Sequence, residues 1–301
     1  MSGRKRKWIP GRSASALRFV SLLIGFMIPA VGQGQMKSEP AARPQRIVSI
    51  NMCTDELLLR LADPDRIASV TWLSQDPRSA NMAEAASRYP ANHGLAEEVA
   101  AYRPDLVLAG VYTSRTTRQL LKSLGFRVVE YDVPKTLDEV RRQIRAVAAT
   151  VGEPERGEAL VTDMDGRLAT LGPRARMPPL NAIVLRPNGF TVGKGSLVNE
   201  ILERAGLVNL ATRLGIDSYL QIPLEAVALQ KADVLILNGE SSGPPSLATE
   251  ALHHPIVAAL ERKLRLVSMP SKLWTCAGPS LVDAVQRLID ETAVSAVETR
   301  P

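Results

Sequence analysis

Apolar positions fall into two rhythms along this chain. Residues 46–50, 66–70, 106–109 and 128–131 are short runs, apolar at consecutive positions and rich in Val, Ile and Leu. That is the pattern of strands buried on both faces. Between them, 56–61, 95–102 and 115–124 read as helices, the first entered through the turn and cap residues Asn51-Met52-Cys53-Thr54-Asp55. Leu137, Val140, Ile144, Val147 and Val151 then step by threes and fours, the signature of an amphipathic helix. Gly152-Glu153-Pro154 breaks it, and a second helix is predicted over 154–171, roughly 27 Å long at about 1.5 Å per residue. Past Pro178-Pro179 the alternation resumes, with strands at 182–185, 234–237 and 264–267 and a last helix over about 280–297.

Strand–helix alternation with short connections predicts parallel sheets covered by helices. The fold class expected is α/β, two Rossmann-like lobes with central parallel sheets joined by a single long helix. The lobes take residues 46–150 and 180–301, with the linking helix at 154–172. An internal echo supports duplicated lobes: the segments 97–108 and 225–236 align without a gap. Each has a Glu (Glu97, Glu225) opening a helix eight positions before an Asp (Asp105, Asp233) that opens a strand.

Charge changes the picture only at the start. The formal net charge is +6, but six of the 37 basic residues lie within 1–32, which holds no acid. The remaining 31 equal the 31 acidic residues, so nucleic-acid binding loses its main support. The basic start, the apolar run 19–30 and the small residues Ala30 and Gly32 form a secretory signal over 1–32. Residues 33–45 read as a flexible tether. The mature protein is expected to be periplasmic after cleavage of the signal, and a monomer.

Few residues offer chemistry. Gly193-Lys194-Gly195-Ser196 follows a strand but lacks phosphate-loop spacing, so it reads as a glycine turn with Ser196 capping the next helix. The three histidines, His93, His253 and His254, read as loop and turn residues, and no serine-hydrolase elbow or His-rich metal cluster stands out. No catalytic residue, cofactor or resident metal is therefore assigned. Aromatics are only 4% of the chain, yet Trp72, Tyr112, Phe190 and Trp274 follow predicted strands and Tyr219 lies in the loop before the helix that Glu225 opens. In open α/β sheets ligands sit beyond the carboxyl ends of strands, so these five are assigned to a ligand-lined cleft, with Arg186 at another strand exit as a partner for an anionic ligand. Cys53 and Cys276 follow strands of opposite lobes. Three readings stand: a disulfide, two free thiols, or contact with a metal-bearing ligand. A disulfide needs Cα atoms within about 7 Å and hence a nearly closed cleft, which would hamper ligand exchange.

With these residues in place, the chain resembles the iron-siderophore and cobalamin branch of periplasmic solute-binding proteins of ABC importers, whose lobes are joined by one helix. The resemblance is carried by Arg46-Ile-Val-Ser-Ile, Asp55-Glu-Leu-Leu, Glu97 with Arg103-Pro-Asp-Leu-Val-Leu, Leu124-Gly-Phe-Arg-Val and Phe190-Thr-Val-Gly-Lys. Glu225 with Ala232-Asp-Val-Leu-Ile, and Trp274-Thr-Cys-Ala-Gly-Pro279, complete it, over 46 to about 297. It implies a rigid bilobed fold and capture of a metal chelate, an iron–siderophore or a corrinoid, without catalysis. It also implies that Glu97 and Glu225 dock onto arginines of the permease of a membrane permease/ATPase complex. Ligand contacts of cobalamin-binding members fall on Met52, Phe190, Tyr219 and Trp274. The chain departs from that pattern where Met52 replaces a Pro, Tyr219 a Trp, and Lys272 and Cys276 an Asp and an Arg. The alternatives are capture of a bare transition-metal ion or, from another class, an exported α/β enzyme.

Overall fold

A computed structural model describes residues 43–172, 178–229, 231–238 and 254–293. The signal, most of the predicted tether, His253 and the end of the predicted last helix lie outside these residues. The first sheet contains β1 (Ile47–Ser49), β2 (Ile67–Thr71), β3 (Ala91–Asn92), β4 (Leu106–Gly110) and β5 (Val128–Tyr131), in the order β3-β2-β1-β4-β5, and every pairing is parallel. Its helices are α1 (Met52–Leu61), α2 (Ala83–Ala86), α3 (Ala96–Ala101) and α4 (Arg115–Ser123). The second sheet contains β6 (Leu180–Leu185), β8 (Leu207–Asn209), β10 (Val234–Asn238) and β11 (Arg265–Met269), in the order β11-β10-β6-β8, again parallel. Around it lie α7 (Leu197–Arg204), α8 (Leu210–Arg213), α9 (Leu224–Ala228), α10 (Pro255–Glu261) and α11 (Leu281–Thr292). A small antiparallel ribbon pairs β7 (Phe190–Val192) with β9 (Tyr219–Gln221). Between the lobes run α5 (Leu137–Val151) and α6 (Pro154–Leu171).

Alternation along each strand divides the core into three. Ile47, Leu106, Leu108, Ala182, Val184, Val234 and Ile236 point into one large cluster. Val48, Val107 and Ala109 face a second cluster under α3 and α4, and Ile183, Leu185 and Leu235 face a third under α9 and α10. The large cluster also takes in Val140, Ile144 and Val147 of α5, Val161, Met164 and Leu168 of α6, and Leu281, Val285 and Leu288 of α11. One continuous apolar mass therefore runs from lobe one through the linking helix into lobe two, and the lobes have no independent core on that side. At about 25 cal/mol per Å² of apolar surface, separating them there would be costly.

The linking region is shaped by its breakers. Thr136 caps α5, and Gly152 ends it in the left-handed conformation at φ 78°. Pro154 occupies the first turn of α6, where its missing N–H costs nothing. Gly157 lets α6 lie directly on α5, since a Cβ there would sit 2.4 Å from that of Ala148. The buried Glu153 at the turn takes Arg66 Nη2 at 2.5 Å, while Arg66 Nη1 donates to Val151 O at 2.8 Å and Pro44 O at 3.1 Å. Arg43 Nη2 reaches Glu153 at 3.4 Å, and Gln45 N donates to Asp105. Residues 43–45, read from sequence as the end of a flexible tether, thus belong to the folded body, because Arg43 is a counter-charge for a buried carboxylate.

The sequence echo marks equivalent joints. Asp105 accepts from the backbone N–H groups of Gln45 and Arg46 at the start of β1. Asp233 accepts from Asn181 N at 2.7 Å and from its side-chain amide at 3.1 Å, at the start of β6. In each lobe the strand-opening Asp pins the entry of the neighbouring strand.

Candidate functional site

In an all-parallel sheet every strand leaves by the same edge, so the residues just after the strands share one side of the lobe. For lobe one these are Asn51-Met52-Cys53 after β1, Trp72 after β2, His93 after β3 and Tyr112 after β4. For lobe two they are Arg186 after β6 and the segment 270–280 after β11. Both strand orders contain a point where successive connections leave in opposite directions, between β1 and β4 and between β6 and β10. The predicted site residues Met52 and Cys53 flank the first switch point, and Arg186 the second.

A disulfide between Cys53 and Cys276, with Cα atoms 5.0 Å apart, brings the two edges face to face. Of the three readings open from sequence the disulfide holds, and the free-thiol reading is corrected, because the way the two sheet edges pack brings the β1 exit and the loop after β11 within bonding distance. Polar bonds flank the bridge. Asn81 Nδ2 donates to Lys272 O at 2.6 Å and lies 3.3 Å from Glu56 Oε2, and Lys272 Nζ donates to Pro77 O at 3.0 Å. A small cavity lined by Met52, Glu56, Ser74, Met82 and Cys276 lies beside it.

Lobe one holds its edge with a buried carboxylate. Asn51 Oδ1 caps α1 by accepting from Cys53 N and Thr54 N. Asp55, one turn in, is fully buried and accepts from Thr71 N at 2.9 Å, Thr71 Oγ1 at 2.5 Å and Ser74 Oγ at 2.6 Å. Burial pushes its pKa up to about 6, against hydrogen bonds from Ser49, Ser74 and Thr71 that pull it down. The clamp fixes both sides of Trp72, whose ring stacks on His93 at 6.1 Å and is 50% exposed. His93 Nδ1 lies 3.1 Å from Glu98 Oε1. Tyr112 stands apart at 86% exposure.

Lobe two gathers its residues into one group. Phe190 and Tyr219, diagonal neighbours across the β7–β9 ribbon, stack with centroids 4.6 Å apart and planes 10° from parallel. The Arg186 guanidinium lies 5.8 Å from the centroid of Tyr219 and 5.8 Å from that of Trp274. Trp274 is only 3% exposed, so it underlies this cation instead of presenting an open face. Burial lowers the Arg186 pKa, a shift that Tyr219 opposes by charge and hydrogen bonding. No carboxylate pairs with Arg186 among the described residues, and its Nε is buried without a hydrogen-bond partner.

Glu97 and Glu225 are both exposed, in the first turns of α3 and α9. The glycine turn behaves as read. Gly193 N donates to Ser218 O at 2.5 Å, Lys194 N to Ile216 O at 3.1 Å and Gly195 N to Asp217 O, which leaves no phosphate cradle, while Ser196 caps α7. His254 caps α10, its Nδ1 accepting from Ile256 N at 3.2 Å. No group of three or more His, Cys, Asp or Glu side chains gathers among the described residues, and no site residue is assigned to a metal. Sequence reasoning missed Asp55, Ser74 and Asn81. Asp55 carried a signal as the acid of the first helical turn, whereas Asn81 lies in a stretch without periodicity.

The family described as periplasmic binding protein matches residues 47–264. The chain belongs to that family. Its members bind solutes and are not enzymes by class. A cobalamin-binding protein of Halobacterium salinarum is 24% identical over 65% of this chain, which spans about half of that relative's length, 54%. A vitamin B12-binding protein of Pectobacterium atrosepticum is 23% identical over 84% of this chain and 90% of its own. The structure of a periplasmic heme-binding protein from Roseiflexus sp. RS-1 superposes with a TM-score of 0.68 at 21% identity, over 82% of this chain and 98% of that one. Such a likeness establishes the fold, and the two-sheet architecture with one linking helix agrees with it.

Proposed function

We propose that this chain is the substrate-binding component of an ABC importer, exported to the periplasm, and that it holds a metal chelate between the carboxyl edges of its two sheets. The observation that carries the reading is the Arg186 group. A part-buried guanidinium without a carboxylate partner among the described residues, bracketed by aromatic rings, is ready for an anionic ligand with a flat face. An enzyme would need acid, base or nucleophile in reach of one another, and the group offers stacking and charge instead. Family membership supports solute binding, and relatives named for cobalamin, B12 and heme support a large metal-bearing ligand. Met52, Trp72, Tyr112, Phe190 and Tyr219 line the ligand space in this reading, Trp274 supports it, and the paired Cys53 and Cys276 bound it. Glu97 and Glu225, one exposed carboxylate per lobe, dock onto cationic groups of the permease.

The test is titration of the mature protein with hemin, cyanocobalamin and a ferric hydroxamate, read by absorbance after gel filtration and by native mass spectrometry. One of them is expected to be retained at one per chain and recovered unchanged. Retention of a bare transition-metal ion with rejection of all three would overturn the chelate reading, and chemical conversion of a bound probe would overturn the binding-protein reading.

A further inference from the structure

The Cys53–Cys276 bond joins residues 223 apart in sequence and ties the β1 exit of lobe one to the β11 exit of lobe two. Two further bonds, Asn81 to Lys272 O and Lys272 to Pro77 O, cross between the lobes at the same end. Lys272 and Cys276 are the positions at which the cobalamin-binding pattern carries an Asp and an Arg, and here both are taken up by holding the lobes together. Trp274, between them, is buried, and its neighbours Leu273 and Ala277 pack against the cluster that α6 shares with both lobes. The lobes are therefore attached twice, through α6 and through the bridge. A body attached at two separate places loses the hinge motion that a single linking helix permits.

We propose that the Cys53–Cys276 bond acts as a staple that fixes the separation of Glu97 and Glu225, so that the protein presents the same pair of carboxylates whether its cleft is empty or full. This rests on the reading of those residues as docking groups. Each Glu is carried by a short helix packed on its own sheet, α3 on the lobe-one cluster and α9 on the lobe-two cluster, so their spacing is set by the spacing of the lobes. A fixed pair needs no ordering when it meets its partner, which lowers the entropic cost of docking. The partner must then sense loading at the surface, where Tyr112 and Tyr219 are open to solvent, because the lobe spacing carries no such signal.

The experiment places spin labels at Ala101→Cys, at the end of α3, and Leu229→Cys, just past α9, and measures their separation by pulsed electron resonance. It compares the native bridge with a Cys53→Ser/Cys276→Ser background, each empty and with excess hemin or cyanocobalamin. With the bridge, a single narrow distribution that does not move with either probe is expected. Without it, a broader distribution reaching longer separations is expected. Equal distributions in the two backgrounds, or alkylation of Cys53 in the native protein without reductant, would overturn the staple. If circular dichroism shows the bridge-free variant unfolded, amide exchange of the native chain before and after phosphine reduction replaces it. Loss of protection at 77–82 and 270–280 on reduction supports the proposal, and unchanged protection overturns it. None of these readouts depends on permease binding, so a failed staple and a failed docking assignment are told apart.

Discussion

The two carboxyl edges that face each other are built by opposite strategies. Lobe one ties its edge down from within: Asp55 gathers the β2 exit, Asn51 caps α1, and Asn92 Nδ2 donates to Ser49 O at 3.0 Å and Ser69 Oγ at 2.8 Å. Its exposed aromatics, Trp72 and Tyr112, stand on separate strand exits. Lobe two instead collects Arg186, Phe190, Tyr219 and Trp274 into one contiguous group around a cation that has no carboxylate partner among the described residues. In the proposed reading, a wall and a reading surface are thus divided between the lobes. A buried carboxylate held by donors of its own lobe gives rigidity, whereas a cation with no carboxylate partner among the described residues is available to an anionic ligand.

The bridge between the two edges bears the largest expected effect. In the chain-entropy view, closing a loop of 223 residues constrains the unfolded state by about 5 kcal/mol. Cys53→Ser/Cys276→Ser should therefore lower the melting temperature by on the order of 10 °C or more, measured by calorimetry under oxidising conditions. A loss of only a degree or two would mean that the shared core and the Asn81 and Lys272 bonds already hold the lobes together.

Next in size is the anchor of the lobe-one wall. The folded pKa of Asp55, about 6, lies above the value of about 3.9 expected for an unfolded Asp. The folded state therefore binds this proton first, and the ionised carboxylate opposes folding above pH 6. Its contribution to stability improves as pH falls from about 6 to about 4 and changes no further below that, an effect of up to ~3 kcal/mol. Asp63 and Glu158, whose pKa values are lowered by Arg156 and Arg145, act in the opposite direction. The informative quantity is thus the difference between wild type and Asp55→Asn. Urea midpoints of wild type relative to the variant should rise between pH 7 and pH 4, and a constant difference would remove Asp55 from its role.

The reading surface is tested by charge and shape. Arg186→Ala should weaken binding of the retained probe by about 10- to 100-fold, the range expected for a charged hydrogen-bonding partner. Arg186→Lys should restore only part of this, because an ammonium cannot stack flat between Tyr219 and Trp274. Trp72→Ala, on the wall, should cost less in the same titration. The reverse order would exchange the roles of the two lobes.

Much of this architecture was legible in the chain. Runs such as Ile47-Val48 and Ala182-Ile183-Val184-Leu185 read as strands buried on both faces, and the three-and-four spacing of Leu137 to Val151 as a helix on a core, and both form. The Glu-to-Asp echo found equivalent joints because the strand-opening Asp has the same work in both lobes: capping the start of a neighbouring strand. The β7–β9 ribbon escaped, since three-residue strands carry too little period to register. Trp274 was assigned to the cleft from its place after a strand, but solvent access depends on what covers a residue, and the loop that carries it folds inward. The bridge could not be chosen over free thiols because its formation depends on how two distant sheet edges face each other, which no local pattern encodes.

The smallest expected effect belongs to the two exposed carboxylates. Each sits in the first turn of a short helix open to solvent, where a charge contributes on the order of 1 kcal/mol or less to an association and acts chiefly on its rate. Glu97→Gln and Glu225→Gln should each slow loading of vesicles bearing the permease by a few-fold, more so at low salt, and leave probe binding unchanged. The double variant sharpens the comparison between wall and reading surface. If the staple holds the pair at one spacing, each carboxylate meets its partner independently and the two losses multiply. If the lobes drift, either carboxylate can engage alone, so one substitution costs little and most of the loss appears only with the second.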